Sequence, residues 1–149
     1  MLIPDFFQIT LFFAAFFCSL AAGLLFAFAI VVMPGIKRLS DREFIRAFQV
    51  MDGVIQNNQP IFMLVWVGSL IALLISVGIG IGQLSGLSRL LLIISALVYL
   101  IGVQLPTVII NIPLNNKLQT LDVDGMNETE LKSARIDFEP RWNFWNYIR

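Results

Sequence analysis

Hydrophobic positions fall into three long runs bounded by charge. No charged residue lies between Asp5 and Lys37, between Asp52 and Arg89, or between Arg89 and Lys117. A membrane-crossing helix needs about 20 predominantly apolar residues, and each run is longer than that. The pattern predicts transmembrane helices near residues 9–33, 61–82 and 90–110. The first run has no basic residue ahead of it, is too long for a signal peptide and shows no clear small-x-small cleavage site. It reads as a retained anchor.

Between and after these runs the period of the pattern changes. Ser40-Asp41-Arg42-Glu43 spells a capping box, and Phe44, Phe48, Met51 and Ile55 then recur at helical spacing on one side, with Arg42, Arg46 and Gln49 on the other. A short amphipathic helix over about 41–56 follows, suited to the inner membrane interface with its arginines toward the headgroups. Gln56-Asn57-Asn58-Gln59-Pro60 then stops it and turns the chain into the second span. Near the end, Asn127 as N-cap and Glu130 at the third helical position predict a helix over about 128–138. Pro140 suits the first turn of a further helix that sets Trp142, Trp145 and Arg149 on one face, as interfacial anchors. The expected fold is all-α, a single membrane domain over 1–149 with three transmembrane helices, the interfacial helix and a helical segment over about 128–149.

Small residues mark where helices can meet. Ala15, Ser19, Gly23 and Ala27 recur every four residues, Ala14, Cys18 and Ala22 lie on the neighbouring ridge, and Gly78 and Gly82 form a similar pair in the second span. Such faces let backbones approach closely, either within the chain or in a homodimer. Cys18 lies on this face as a packing residue.

Composition narrows the classes. Of 149 residues 58% are hydrophobic, and ten basic residues balance ten acidic ones. An ordinary soluble domain is roughly 45–50% apolar and about 25% charged, so soluble globular folding is not the default here. A nucleic-acid binder would need a basic excess. With no histidine and one cysteine, the chain offers no Ser-His-Asp or Cys-His unit, no His-ligated metal and no internal disulfide. Lys37, Arg38, Arg42 and Arg46 in the first loop, and Lys117, Lys132, Arg135, Arg141 and Arg149 in the last segment, outweigh Arg89 at the other turn. The positive-inside tendency then puts the N-terminus outside a cell membrane and the C-terminal segment in the cytoplasm. The sequon Asn127-Glu128-Thr129 would face the cytoplasm and so go unglycosylated.

Candidate chemistry concentrates in the third span and the ending. Gln104, Thr107 and Asn111 form a polar stripe at its inner end, where Pro106 and Pro113 both interrupt backbone hydrogen bonding. Asn111-Ile112-Pro113-Leu114-Asn115-Asn116 adds a cluster of amides. Polar groups at membrane depth must face protein or water. These either cap helix ends and bond to one another or line a small pocket.

Met33-Pro34-Gly35, Phe48-Gln49-Val50-Met51-Asp52, the Pro-Leu-Asn-Asn stretch at Pro113–Asn116 and the ending Trp142-Asn143-Phe144-Trp145-Asn146-Tyr147-Ile148-Arg149 together resemble the anthrone-oxygenase-like family. Many of its members are small bacterial membrane proteins grouped under a domain-of-unknown-function heading. Members typically continue into a fourth hydrophobic helix, which here would begin at the Trp142–Arg149 segment. The resemblance implies oxidation of an anthrone to an anthraquinone by dioxygen with no added cofactor. It implies a carboxylate base, Asp52 or Glu139, with Asn115, Asn116, Asn146 and Arg149 as oxyanion donors. Trp142 and Trp145 would be flat surfaces for a small aromatic ligand, with Gln104 and Asn111 lining its pocket. The alternative is a non-catalytic membrane protein or subunit, for which packing faces and interfacial anchors suffice.

Overall fold

A computed structural model describes residues 5–149, and among these every regular element is helical. There are five continuous helices: α1, Phe6–Ile36; α2, Asp41–Gln56; α3, Pro60–Gln83; α4, Gly86–Gln119; and α5, Glu128–Ile148. Helices α1, α3 and α4 are long and apolar enough to cross a membrane. Most of their apolar side chains point outward, Phe12, Phe26, Ile61, Leu64 and Val98 among the most exposed. Contiguous apolar surface of that extent is costly in water and natural in lipid.

The helix boundaries follow local chemistry. Both capping boxes form: Ser40 with Glu43 opens α2, and Asn127 with Glu130 opens α5. The Ser40 hydroxyl and backbone N–H hold the Glu43 carboxyl below the usual glutamate range. Asn58 adopts a left-handed backbone at the α2–α3 turn, and Gly86 does so where the chain turns into α4, a conformation that glycine takes without steric cost.

Prolines inside helices are handled in two ways. Three wide π segments, Phe28–Val32, Val98–Gln104 and Thr107–Asn111, each end two residues before a proline, at Pro34, Pro106 and Pro113. A helical proline lacks an N–H and collides with the carbonyl four residues back. In each case that carbonyl lies inside the π segment, whose wider turn relieves the collision without ending the helix. Pro106 and Pro113 therefore leave α4 continuous to Gln119, well beyond the boundary near 110 that the hydrophobic run suggests. Pro140 is instead carried inside α5, so residues 128–148 form one helix where the sequence suggests two.

The chain divides into two compact units, Met1–Leu24 with Pro60–Gly102, and Leu25–Gln59 with Val103–Arg149. In the first, Ala14 and Ala21 are buried while Ala15, Ser19 and Gly23 are exposed, so the packed ridge is the neighbour of the stripe that stands out in the sequence. Among the described residues nothing approaches Gly78 or Gly82 closely. Gly80 is the tight contact, with a Cβ there falling 2.3 Å from Leu92 Cδ2 and 3.0 Å from Phe7 Cε2.

The second unit has an aromatic core of Phe44, Phe48, Phe138 and Trp142 with Met33, Ile45, Leu118 and Leu131. Its loops are held by arginines. Arg42 donates to the carbonyls of Val123 and Met126 and pairs with Glu128, while Arg46 pairs with Asp124. The face of α2 expected to meet headgroups is thus engaged by the α4–α5 connection. Arg135, its side chain only 13% exposed, donates to the carbonyls of Lys37 and Leu39 and pairs with Asp41 and Glu139. Burial works against its charge, but Glu139 and Asp41 together outweigh that and raise its pKa above the usual arginine value.

Candidate polar site

Within this second unit a buried carboxylate gathers a set of amides. Asp52 lies on α2 and is 5% exposed, so it needs donors to replace water. Asn115 Nδ2 donates to its Oδ1 at 2.7 Å, and Gln56 and Gln119 Nε2 donate to its Oδ2 at 2.7 and 2.9 Å. Gln56 stands one helical turn beyond Asp52, and Asn115 and Gln119 stand one turn apart on α4, so helical periodicity aims all three. Gln56 Nε2 also donates to Asn116 Oδ1 at 3.2 Å, and Gln119 Nε2 to the Gln49 carbonyl at 2.9 Å. Gln49 Nε2 donates in turn to the carbonyls of Leu118 and Leu121. Among the described residues every partner of Asp52 is a donor, and its two oxygens accept three hydrogen bonds in all.

Trp142 joins this cluster to a second one. Its Nε1 donates to Asn115 Oδ1 at 2.8 Å, its carbonyl accepts from Asn111 Nδ2 at 3.4 Å, and the Arg149 guanidinium lies over its ring at 5.4 Å. At 3% exposure, wedged against Phe28, Phe48 and Phe138, it is a core residue and not an open platform. Arg149 donates through Nε and Nη2 to Asn146 Oδ1, at 3.3 and 3.0 Å, and through Nη1 to Thr107 Oγ1 at 3.0 Å. Asn146 Nδ2 donates to the Leu25 carbonyl, which ties α5 to α1.

The electrostatics of the second cluster are unusual. Burial pulls the Arg149 pKa down to about 10, yet that keeps it protonated at neutral pH. All its hydrogen-bond partners are neutral, and among the described residues no ion pair includes it. Beside it on α4, Asn111 is 1% exposed and its Oδ1 has no hydrogen-bond partner among the described residues. Chemically, one cluster presents a carboxylate able to take a proton, and the other a cation able to steady a negative oxygen.

Of the residues singled out from sequence, Asp52, Asn115, Asn116, Trp142 and Asn111 fall in one connected set, and Asn146 and Arg149 in the set adjoining it through Trp142. Gln104 is half-buried on α4. Trp145 sets its ring edge-on to Phe144 and makes no ring contact with the core tryptophan. Glu139, the other candidate base, is engaged by Arg135 at 2.7 Å. Sequence reasoning missed Gln49, Gln56 and Gln119. Their signal was the spacing of Gln49, Asp52 and Gln56, three and four apart on one helix. A half-open cavity of about 280 Å³ lies elsewhere in this unit, floored by Leu114, Leu118 and Phe138 and rimmed by Lys117, Glu130 and Asp137. None of the site side chains lines it.

A family model described as anthrone oxygenase matches residues 48–149, which takes in α3, α4, α5, Asp52 and every other site residue named above except Leu25 and Phe28. The chain belongs to the anthrone oxygenase family. No curated protein and no solved structure matches it.

Proposed function

We propose that this member of the anthrone oxygenase family is a membrane-embedded enzyme that oxidises an apolar aromatic compound with dioxygen, without an added cofactor. The observation that carries the reading is the pairing, through Trp142, of a buried carboxylate with a half-buried cation whose hydrogen-bond partners are all neutral. In an anthrone the ring methylene is acidified by the carbonyl across the ring. Asp52 takes one proton from it, and the Arg149 guanidinium, with Asn146 and Asn115 nearby, steadies the negative charge that moves to the carbonyl oxygen. The electron-rich carbon then gives its electrons to dioxygen and forms a C–O bond, leaving a hydroperoxide. Loss of the second methylene hydrogen as a proton, with cleavage of the O–O bond, gives the new carbonyl and water. One methylene and one dioxygen thus become one ketone and one water. By the lysine and arginine distribution, we place the N-terminus outside and the α2 and α5 side in the cytoplasm.

A non-catalytic role draws on a specific observation of its own: Asp52 is held by three amides and Trp142 is packed as core. Purified protein in detergent decides between them. Conversion of an anthrone to its anthraquinone in air should exceed the spontaneous rate, and Asp52→Asn and Arg149→Gln should slow it while the helical circular-dichroism signal persists. A wild-type rate equal to buffer across several aromatic substrates would favour the structural role.

A further inference from the structure

An acceptor buried with no donor is costly, and such atoms in native proteins call for an explanation. Asn111 Oδ1 is that atom here. Rotating the amide by half a turn would not help, because its Nδ2 already donates to the Trp142 carbonyl. Asn111 closes the π segment that Thr107 opens, and Thr107 accepts from Arg149. The guanidinium has five N–H groups, of which Nε, one on Nη1 and one on Nη2 are engaged. The remaining N–H on each terminal nitrogen can grip an anionic oxygen. Two unused donors on a cation thus accompany an unused acceptor four residues along α4 from that cation's Thr107 partner. A ligand that satisfies both must carry a negative oxygen and a hydroxyl.

We infer that Asn111 is a specificity-determining residue, whose Oδ1 accepts from a hydroxyl of the ligand while Arg149 holds the ligand's anionic oxygen, so that the site selects hydroxylated aromatic anions over their deoxy counterparts. The aromatic part of this assignment rests on the proposed function; the anion and the hydroxyl rest on Arg149 and Asn111. A ligand hydroxyl placed there supplies the donor that Oδ1 lacks. An ether at the same place cannot donate.

Calorimetric titration of the detergent-solubilised protein tests this with 2-naphthoate, its hydroxyl-substituted isomers and the matching methoxy compounds, against empty micelles as reference. At least one hydroxy isomer should bind wild type about tenfold more tightly than both 2-naphthoate and its own methoxy analogue, the weight of one buried acceptor gaining its donor. Asn111→Ala should erase that preference, bringing the hydroxy, methoxy and parent compounds to one affinity, whereas Arg149→Gln should weaken every member of the series. The inference is overturned if no hydroxy isomer outbinds its parent, or if the preference survives in Asn111→Ala. Should that variant not fold, the hydroxy-against-methoxy comparison in wild type decides alone. Preference without anthrone turnover would sink the enzymatic reading and keep this one; turnover without preference would do the reverse.

Discussion

The two units of the chain satisfy their polar atoms by opposite means. In the first unit the hydroxyls of Thr10, Ser19, Ser69 and Ser76 donate to carbonyls three or four residues back on their own helix. Ser69 adds a 2.6 Å bond to the Tyr99 hydroxyl, across to α4. In the second unit the polar side chains reach far along the sequence, Arg135 to groups 94 to 98 positions away and Asn146 to Leu25, 121 positions away. The difference teaches that hydrogen bonding has two distinct tasks here. Where helices are apolar and long enough to cross a membrane, each must be self-sufficient, and association depends on close packing at Gly80, Gly68 and Ala21. Where loops and helix ends meet, long-range polar ties decide which elements go together, and each tie is costly to cut because its partner stays buried.

Four perturbations sharpen or break that contrast. The largest effect is expected from Asp52→Asn, which puts an NH₂ where at least one amide donor points and removes the proposed base. Anthrone oxidation should fall about a hundredfold or more, and a rate within threefold of wild type would end Asp52's assignment. Arg135→Ala comes next. It strands Asp41, Glu139 and two carbonyls, and thermal unfolding followed by circular dichroism in detergent should show a loss of about 3 kcal/mol. Gly80→Ala forces a Cβ into Leu92, which is itself buried, and should cost about 1–2 kcal/mol in the same assay. Smallest is Ser76→Ala, which deletes a bond to the Ala72 carbonyl already used by the helix, and should cost less than about 0.5 kcal/mol. If Ser76→Ala proved as damaging as Arg135→Ala, the distinction between self-sufficient and long-range bonding would collapse.

A pH series probes Arg149 separately. A guanidinium with its pKa near 10 binds an anion through neutral pH and releases it as pH climbs past about 10. Naphthoate affinity should follow that course, and a loss already complete near neutrality would rule out Arg149 as the anchor.

Much of the fold is written in local pattern. The three apolar runs become α1, α3 and α4, the capping boxes at Ser40 and Asn127 open α2 and α5, and α2 spans the residues that its periodicity delimits. Two features were not legible. Pro140 reads as a helix start because proline favours the first turn, but packing of Phe138 and Trp142 on one face keeps α5 whole across it. The polar face of α2 reads as headgroup-facing because nothing local says that a loop more than 75 residues later will cover it. That is also why the glutamines around Asp52 escaped notice. Helical spacing can show that Gln49, Asp52 and Gln56 share a side, but only the tertiary meeting of α2 with α4 shows what that side is for.

The wide turn at Thr107–Asn111 has a geometric consequence for everything after it. A regular helix advances by about 100° per residue, so one extra residue in a turn swings the following side chains by about that angle. Asn115 and Gln119 point at Asp52 with that offset included. Pro113 therefore acts as a phase setter for α4. A helix of the same composition with the proline moved or removed, and the turn relaxed to regular pitch, would carry the same amides around to another bearing and leave the Asp52 carboxylate facing side chains that cannot donate to it.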